Sequence, residues 1–179
     1  MTIDINKRSG GSTELPVAEC IDGHMSTWRV RTDFQPVLDE QEKQTGVSFI
    51  EKEYPYKPSM NEVRDFVCAV INAQTDEKIL NGYQFTPDGA EEPITVWLSE
   101  ENQRNFSEAQ RLQIIPVKFK LNETEDKQPI YHTFETFEEL DRFYKGGVQY
   151  INQCLQEGWQ RKDSVDFTPY EEILNPVTE

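Results

Sequence analysis

The strongest constraint on this chain lies between residues 136 and 158. Thr136 and Glu139 have the spacing of a capping box, and Phe137, Leu140, Tyr144, Val148, Ile151 and Leu155 then recur at intervals of three or four. That pattern predicts an amphipathic helix of about twenty residues with one buried stripe, which must pack against something apolar. Gly146-Gly147 interrupts the composition without breaking the stripe. Each glycine costs a helix interior roughly 1 kcal/mol against alanine, so the pair implies a close approach to the surface below. Gly158 is expected to end the helix, with Trp159 folding back over the core.

Preceding segments supply what that helix can pack on. Ser59 and Glu62 form a second capping box, followed by Met60, Val63, Phe66, Val67, Val70 and Ile71 on one face. This first helix is expected to end around Ala73–Asp76, where Asn, Thr and Asp compete for backbone hydrogen bonds. Strand candidates follow at Ile79–Phe85 and Ile94–Leu98 around the turn Pro87-Asp88-Gly89, with Asn81-Gly82 read as a bulge. Ser99 caps a further helix with Phe106, Ala109 and Leu112 inward, and Pro116 closes it. A second strand pair, Pro116–Leu121 and Pro129–Phe134, alternates Val117, Phe119 and Leu121 with Lys118 and Lys120. The connections within each pair are too short for parallel crossovers. The expected fold is therefore α+β: two antiparallel hairpins forming a small sheet against about three helices.

The boundary before this domain falls near Tyr54–Pro58. Upstream, apolar clusters are short, and Trp28-Arg29-Val30-Arg31 and Val47–Ile50 read as strand fragments behind the flexible run Ser9-Gly10-Gly11-Ser12. The expected organisation is a loosely structured arm with short strands over 1–57, an α+β domain over 58–166, and a fraying tail over 167–179. Acidity is concentrated beyond the arm: the first 57 residues hold ten acids and seven bases, the remaining 122 hold 23 and 11.

A net charge of −15 disfavours direct binding to nucleic acid or to anionic lipid. No apolar run approaches the roughly 20 residues needed to span a bilayer, and the amino-terminal segment has no export-signal core. Cys20, Cys68 and Cys154 are odd in number and widely spaced, so a disulfide framework is not expected. These features predict a protein made in the cytoplasm.

Few residues are spaced as a chemical site requires. Cys20, Asp22 and His24 lack the second ligand pair of a zinc site, and His132 reads as an edge residue of a strand. Glu91-Glu92, Glu100-Glu101, Glu138-Glu139 and Glu171-Glu172 are expected by number alone among 33 acids, and neighbouring acids on a helix diverge. No phosphate-binding glycine loop opens a helix. The expectation is no enzyme, no cofactor and no metal. Tyr54 and Tyr56, in a hinge with two prolines, either pack against the domain or contact a partner, the second reading resting on the enrichment of tyrosine at interfaces.

From Ile79 onward the residue order resembles a phage-associated domain of unknown function found in tail fibre, tail fibre assembly and other virion-linked proteins. The resemblance is carried by Lys78-Ile-Leu-Asn-Gly-Tyr-Gln-Phe85, Trp97-Leu-Ser-Glu-Glu-Asn-Gln-Arg-Asn-Phe106, Pro116-Val-Lys-Phe-Lys120 and Phe134-Glu-Thr-Phe-Glu-Glu-Leu140, over about residues 59–166. It implies a non-catalytic tail-associated structural or assembly protein of a phage or prophage, present in the bacterial host during expression and incorporated in the virion. Its partners would be tail or assembly proteins, or further copies of itself. Asn102, Gln103 and Asn105 are the candidate partner-binding residues of that signature, against a structural reading in which the amides bond to neighbouring backbone. Two alternatives stay open: an acidic inhibitor or nucleic-acid-mimicking decoy of a basic host protein, and an enzyme with an unrecognised carboxylate site.

Overall fold

A computed structural model describes residues 3, 4, 7–23 and 27–176. The α+β class holds: among the described residues, antiparallel strands lie in three small sheets packed with four helices. The chain divides into two compact units, one formed by Met1–Gln74 with Gln160–Glu179 and the other by Thr75–Trp159.

The first unit is built around a four-stranded sheet of order β1-β4-β3-β2: β1 (Ser9–Gly11), β2 (Ala18–Asp22), β3 (Thr27–Leu38) and β4 (Gln44–Tyr54). The region expected to be a loose arm thus carries two long strands, 12 and 11 residues in β3 and β4. Periodicity hid them because charged side chains occupy inward positions. Arg31 is only 3 % exposed. Its guanidinium is bonded to Glu51 (Nε to Oε2, 2.8 Å), to Glu19 and to the Pro16 carbonyl (3.0 Å), and it lies 5.3 Å from the centre of the Phe49 ring. A buried charge is tolerated when every donor has a partner.

On the other face Val30 and Ile50 join Val63, Phe66, Val67, Val70 and Ile71 of α1 (Met60–Gly82) in one apolar cluster. The capping box forms as the spacing predicts. The Glu62 N–H donates to Ser59 Oγ (3.3 Å), and the Glu62 carboxylate accepts from the Ser59 N–H (2.8 Å). The helix runs past its expected end because neither proline nor glycine occurs before Gly82, and Asn81 bonds back to Glu77 (2.7 Å). The strand expected from Ile79 consequently shrinks to β5 (Tyr83–Phe85), and Asn81-Gly82 is a helix end rather than a bulge. The expected fraying tail contains α4 (Thr168–Leu174), whose Tyr170 and Leu174 are buried in the same cluster; the Tyr170 hydroxyl donates to the Arg31 carbonyl (2.7 Å).

In the second unit β5 pairs with β6 (Ile94–Val96), and β7 (Val117–Glu123) pairs with β8 (Pro129–Phe134). The two hairpins are separate ladders, linked where the Trp97 N–H donates to the Leu121 carbonyl (2.8 Å) and Asn122 Nδ2 to the Thr95 carbonyl (2.9 Å). Between them runs α2 (Glu100–Leu112), capped by Ser99, whose Oγ accepts from the Asn102 N–H. Phe106 and Ala109 point inward as expected, but Leu112 is 55 % exposed: it sits in the last turn, and Gln113 leaves the helix in a left-handed conformation (φ 53).

The long helix α3 (Phe137–Asp163) carries Leu140 and Phe143 into an aromatic core with Tyr83, Phe85, Phe106 and Phe134. Ring centres of Phe143 lie 4.9 Å from those of Phe85, Phe106 and Phe134. The close approach predicted from the glycine pair is found at Gly146, where an added Cβ would collide with the Tyr83 hydroxyl. Two terminal expectations are corrected. Gly158 is buried inside the helix, where a Cβ would come within 2.7 Å of Thr75 Oγ1, so this glycine serves packing and not termination. The helix therefore continues to Asp163 and leaves Trp159 exposed, as is Val148 of the expected stripe.

Candidate functional site

Of the five residues singled out for partner contact, two have their side-chain amides engaged locally. Asn102 Nδ2 donates to the Trp97 carbonyl (3.0 Å) and Gln103 Nε2 to the Leu98 carbonyl (2.6 Å), fixing the chain where it enters α2. Asn105 is exposed on the same helix. Tyr54 is buried, and its hydroxyl donates to the Glu62 carbonyl (3.3 Å); burial pushes its pKa up to about 12. Tyr56 is half exposed, and donates to Glu62 Oε1 (2.6 Å), a bond that raises the phenol and lowers the carboxyl. The tyrosines thus brace the start of α1.

Other titratable candidates resolve similarly. His132 Nε2 lies 3.0 Å from Glu139 Oε1, and that oxygen also accepts from the Asp88 N–H (2.9 Å). The Glu139 N–H still donates to Thr136 Oγ1 (3.3 Å), while its carboxylate reaches across to the β5–β6 loop, so the Thr136–Glu139 capping box is only half formed. This arrangement ties loop, strand and helix together. Cys20, Cys68 and Cys154 are free thiols. His24 lies outside the described residues. Among the described residues, no group of three or more His, Cys, Asp or Glu is placed to hold a metal ion, and no helix is long and apolar enough to cross a membrane.

The feature that sequence periodicity missed is the far half of the β3–β4 hairpin. β2 pairs with β3 only as far as Val30, and β1 pairs with β4 only over Val47–Phe49. Past Val47 β3 and β4 pair with each other alone among the described residues, through Val37–Gly46 and Leu38–Gln44, while Gln35–Ser48 and Pro36–Val47 form the base where β1 still flanks β4. Along this ribbon every residue from Phe34 to Thr45 is exposed, although the Phe34 ring at its base lies 5.6 Å from that of the buried Phe49. It carries Phe34, Val37 and Leu38, with Leu38 54 % exposed, and ends in Asp39-Glu40-Gln41-Glu42.

Both ends of this ribbon are fixed. At the tip, Asp39 Oδ1 accepts from the N–H groups of Gln41 (2.9 Å) and Lys43 (3.0 Å), and the backbones of Asp39 and Lys43 are joined (3.0 Å). At the base, the register shifts between Thr32 and Gln35, and Asp33 adopts a left-handed conformation (φ 56) that is costly for a residue with a side chain. Arg8 holds it there: Nη1 bonds to Asp33 Oδ2 (2.6 Å), Nε to Ser48 Oγ (3.1 Å) and Nη2 to the Ser48 carbonyl (3.0 Å). Gln74 Nε2 adds a bond to the same Asp33 oxygen (2.7 Å). Gly46 lies under the Gly11 carbonyl, 2.7 Å from where a Cβ would be, so only glycine fits.

Exposed apolar side chains on a braced ribbon have the chemistry of a protein contact: side chains to bury, and an acidic end to orient a basic partner. Pro36 lacks an N–H and interrupts the outer edge of β3, which disfavours open-ended strand addition and favours contact through side chains. No protein-family model, curated protein or solved structure matches the chain.

Proposed function

We propose that the chain is a non-catalytic phage or prophage tail-associated structural or assembly protein, and that it engages a partner polypeptide through the β3–β4 ribbon. The observation that carries the binding role is the exposure of Phe34, Val37 and Leu38 on a hairpin whose base is locked by Arg8 and Asp33. Apolar side chains held out in water contribute no burial to the free protein's stability and gain it only on contact. The residue resemblance over 59–166 supplies the setting, a tail or tail-assembly protein as the partner. Charge narrows the partner's surface to an apolar groove with a basic rim, facing Asp39, Glu40 and Glu42.

The test is quantitative mass spectrometry of density-purified particles, induced from the source organism, with wild-type protein and with Val37→Asp/Leu38→Asp. The wild type is expected in particles at a fixed copy number or in a stoichiometric lysate complex with a tail protein. The double variant is expected to lose that association while its melting temperature stays unchanged. Wild-type protein found in neither fraction removes the tail role; a double variant that associates normally removes the ribbon.

A further inference from the structure

The second unit contains a half-enclosed cavity of about 300 Å³ between α2 and α3. Native cores hold few voids larger than a water molecule, and this volume is at the small end of ligand pockets, about 300–1,000 Å³. Its walls are apolar or aromatic: Tyr83, Leu98, Phe106, Phe143 and Ile151. The glycine pair explains part of the space. Gly146 must be glycine because the Tyr83 hydroxyl lies against it, but Gly147 is under no such demand. A Cβ there would meet Tyr83 at 3.6 Å and Leu98 at 3.9 Å, ordinary contact distances. Filling the position would favour the helix, yet the space is kept.

The polar atoms of the lining are mostly committed. The Tyr83 hydroxyl donates to the Phe143 carbonyl (2.8 Å) and Gln103 to the Leu98 carbonyl, while Tyr144 reaches Ser107 at 3.5 Å. Arg104 differs. It is the one charged residue of the lining, it is exposed, and among the described residues it has no hydrogen bond or ion pair. Glu100, Glu101 and Glu108 neighbour it along α2, and Glu108 is bonded to Arg111 instead (2.7 Å). A free guanidinium at an apolar cavity is complementary to a ligand with one anionic head and an apolar tail.

We propose that this cavity binds a small amphiphilic monocarboxylate, its tail among Phe106, Phe143 and Ile151 and its carboxylate on Arg104. At about 30 Å³ for each water-sized group the space admits roughly ten heavy atoms, which octanoate matches. The site does not depend on the ribbon of the first unit.

Titration calorimetry of the full chain with octanoate, octan-1-ol as the uncharged comparison, decides the matter. Octanoate is expected to bind saturably at a single site and octan-1-ol about tenfold more weakly. Arg104→Gln, a surface change, should weaken octanoate about tenfold and leave octan-1-ol unaltered; Gly147→Leu, which fills the cavity, should abolish both. Absence of saturable octanoate binding to the wild type overturns the site. Equal affinity for the two probes, or an Arg104→Gln variant with unchanged octanoate affinity, overturns the carboxylate role.

Discussion

The two units reach a stable core by different chemistry. The first packs mainly branched aliphatic side chains, Val30, Ile50, Val63, Val67, Val70 and Ile71, with Tyr54, Phe66 and Tyr170 among them, between a sheet and α1, and completes its other face with an ion-paired arginine. The second packs rings on rings, with Phe143 at the centre of Phe85, Phe106 and Phe134. An aliphatic core with a buried charge gains specificity from fixed polar geometry. An aromatic core gains area and edge-to-face contacts from a few large residues. Damage should therefore spread differently: removing one ring should empty much of the second core, whereas the first core should fail at its charge.

The largest effect is expected from Phe143→Ala. Truncating a fully buried phenylalanine costs about 3–5 kcal/mol, and peptide-resolved hydrogen exchange should show the lost protection concentrated in residues 75–159. Equal loss across the first unit would mean that the two cores unfold as one, and the comparison would break. Next comes Arg31→Ala, which leaves Glu19 and Glu51 without their shared cation. Breaking a buried pair costs about 3 kcal/mol or more, here lowered by the partial exposure of Glu19; chemical denaturation would measure it, and Glu19→Gln should cost less. Smallest is Ser59→Ala, which removes an N-cap worth about 1 kcal/mol. Its effect on the denaturation midpoint should be confined to the first unit's exchange pattern, sharpening the boundary within α1.

The same chemical difference explains what could be read from the sequence. Ring residues at helical and strand spacing made the second unit legible: Ser99 and Thr136 as caps, Pro129–Phe134 as a strand, and Gly146 as a close approach all lie where patterning put them. The first unit was obscured where Arg31 sits at a buried position and Asp33 shifts the register, because period-two alternation counts both as surface. Long-range partners such as Glu19 and Glu51 are what make Arg31 a core residue, and no local window contains that information. Helix ends failed for a related reason. Asn72, Thr75 and Asp76 weaken a helix locally, but packing of Ile79 in the second core holds the turns beyond them. The ribbon escaped notice since a strand with both faces wet leaves no alternation, and the cavity follows from a missing side chain at Gly147 that sequence reading assigned to close packing.

The fixed base of the ribbon has an evolutionary consequence. Arg8, Asp33, Ser48 and Gly46 bear the structural burden, with the Phe34 ring against Phe49, while residues 35–45 are exposed. Substitutions along the outer hairpin are thereby uncoupled from the survival of the fold. A lineage can exchange one binding preference for another by rewriting about a dozen exposed positions, keeping the anchor and both cores unchanged.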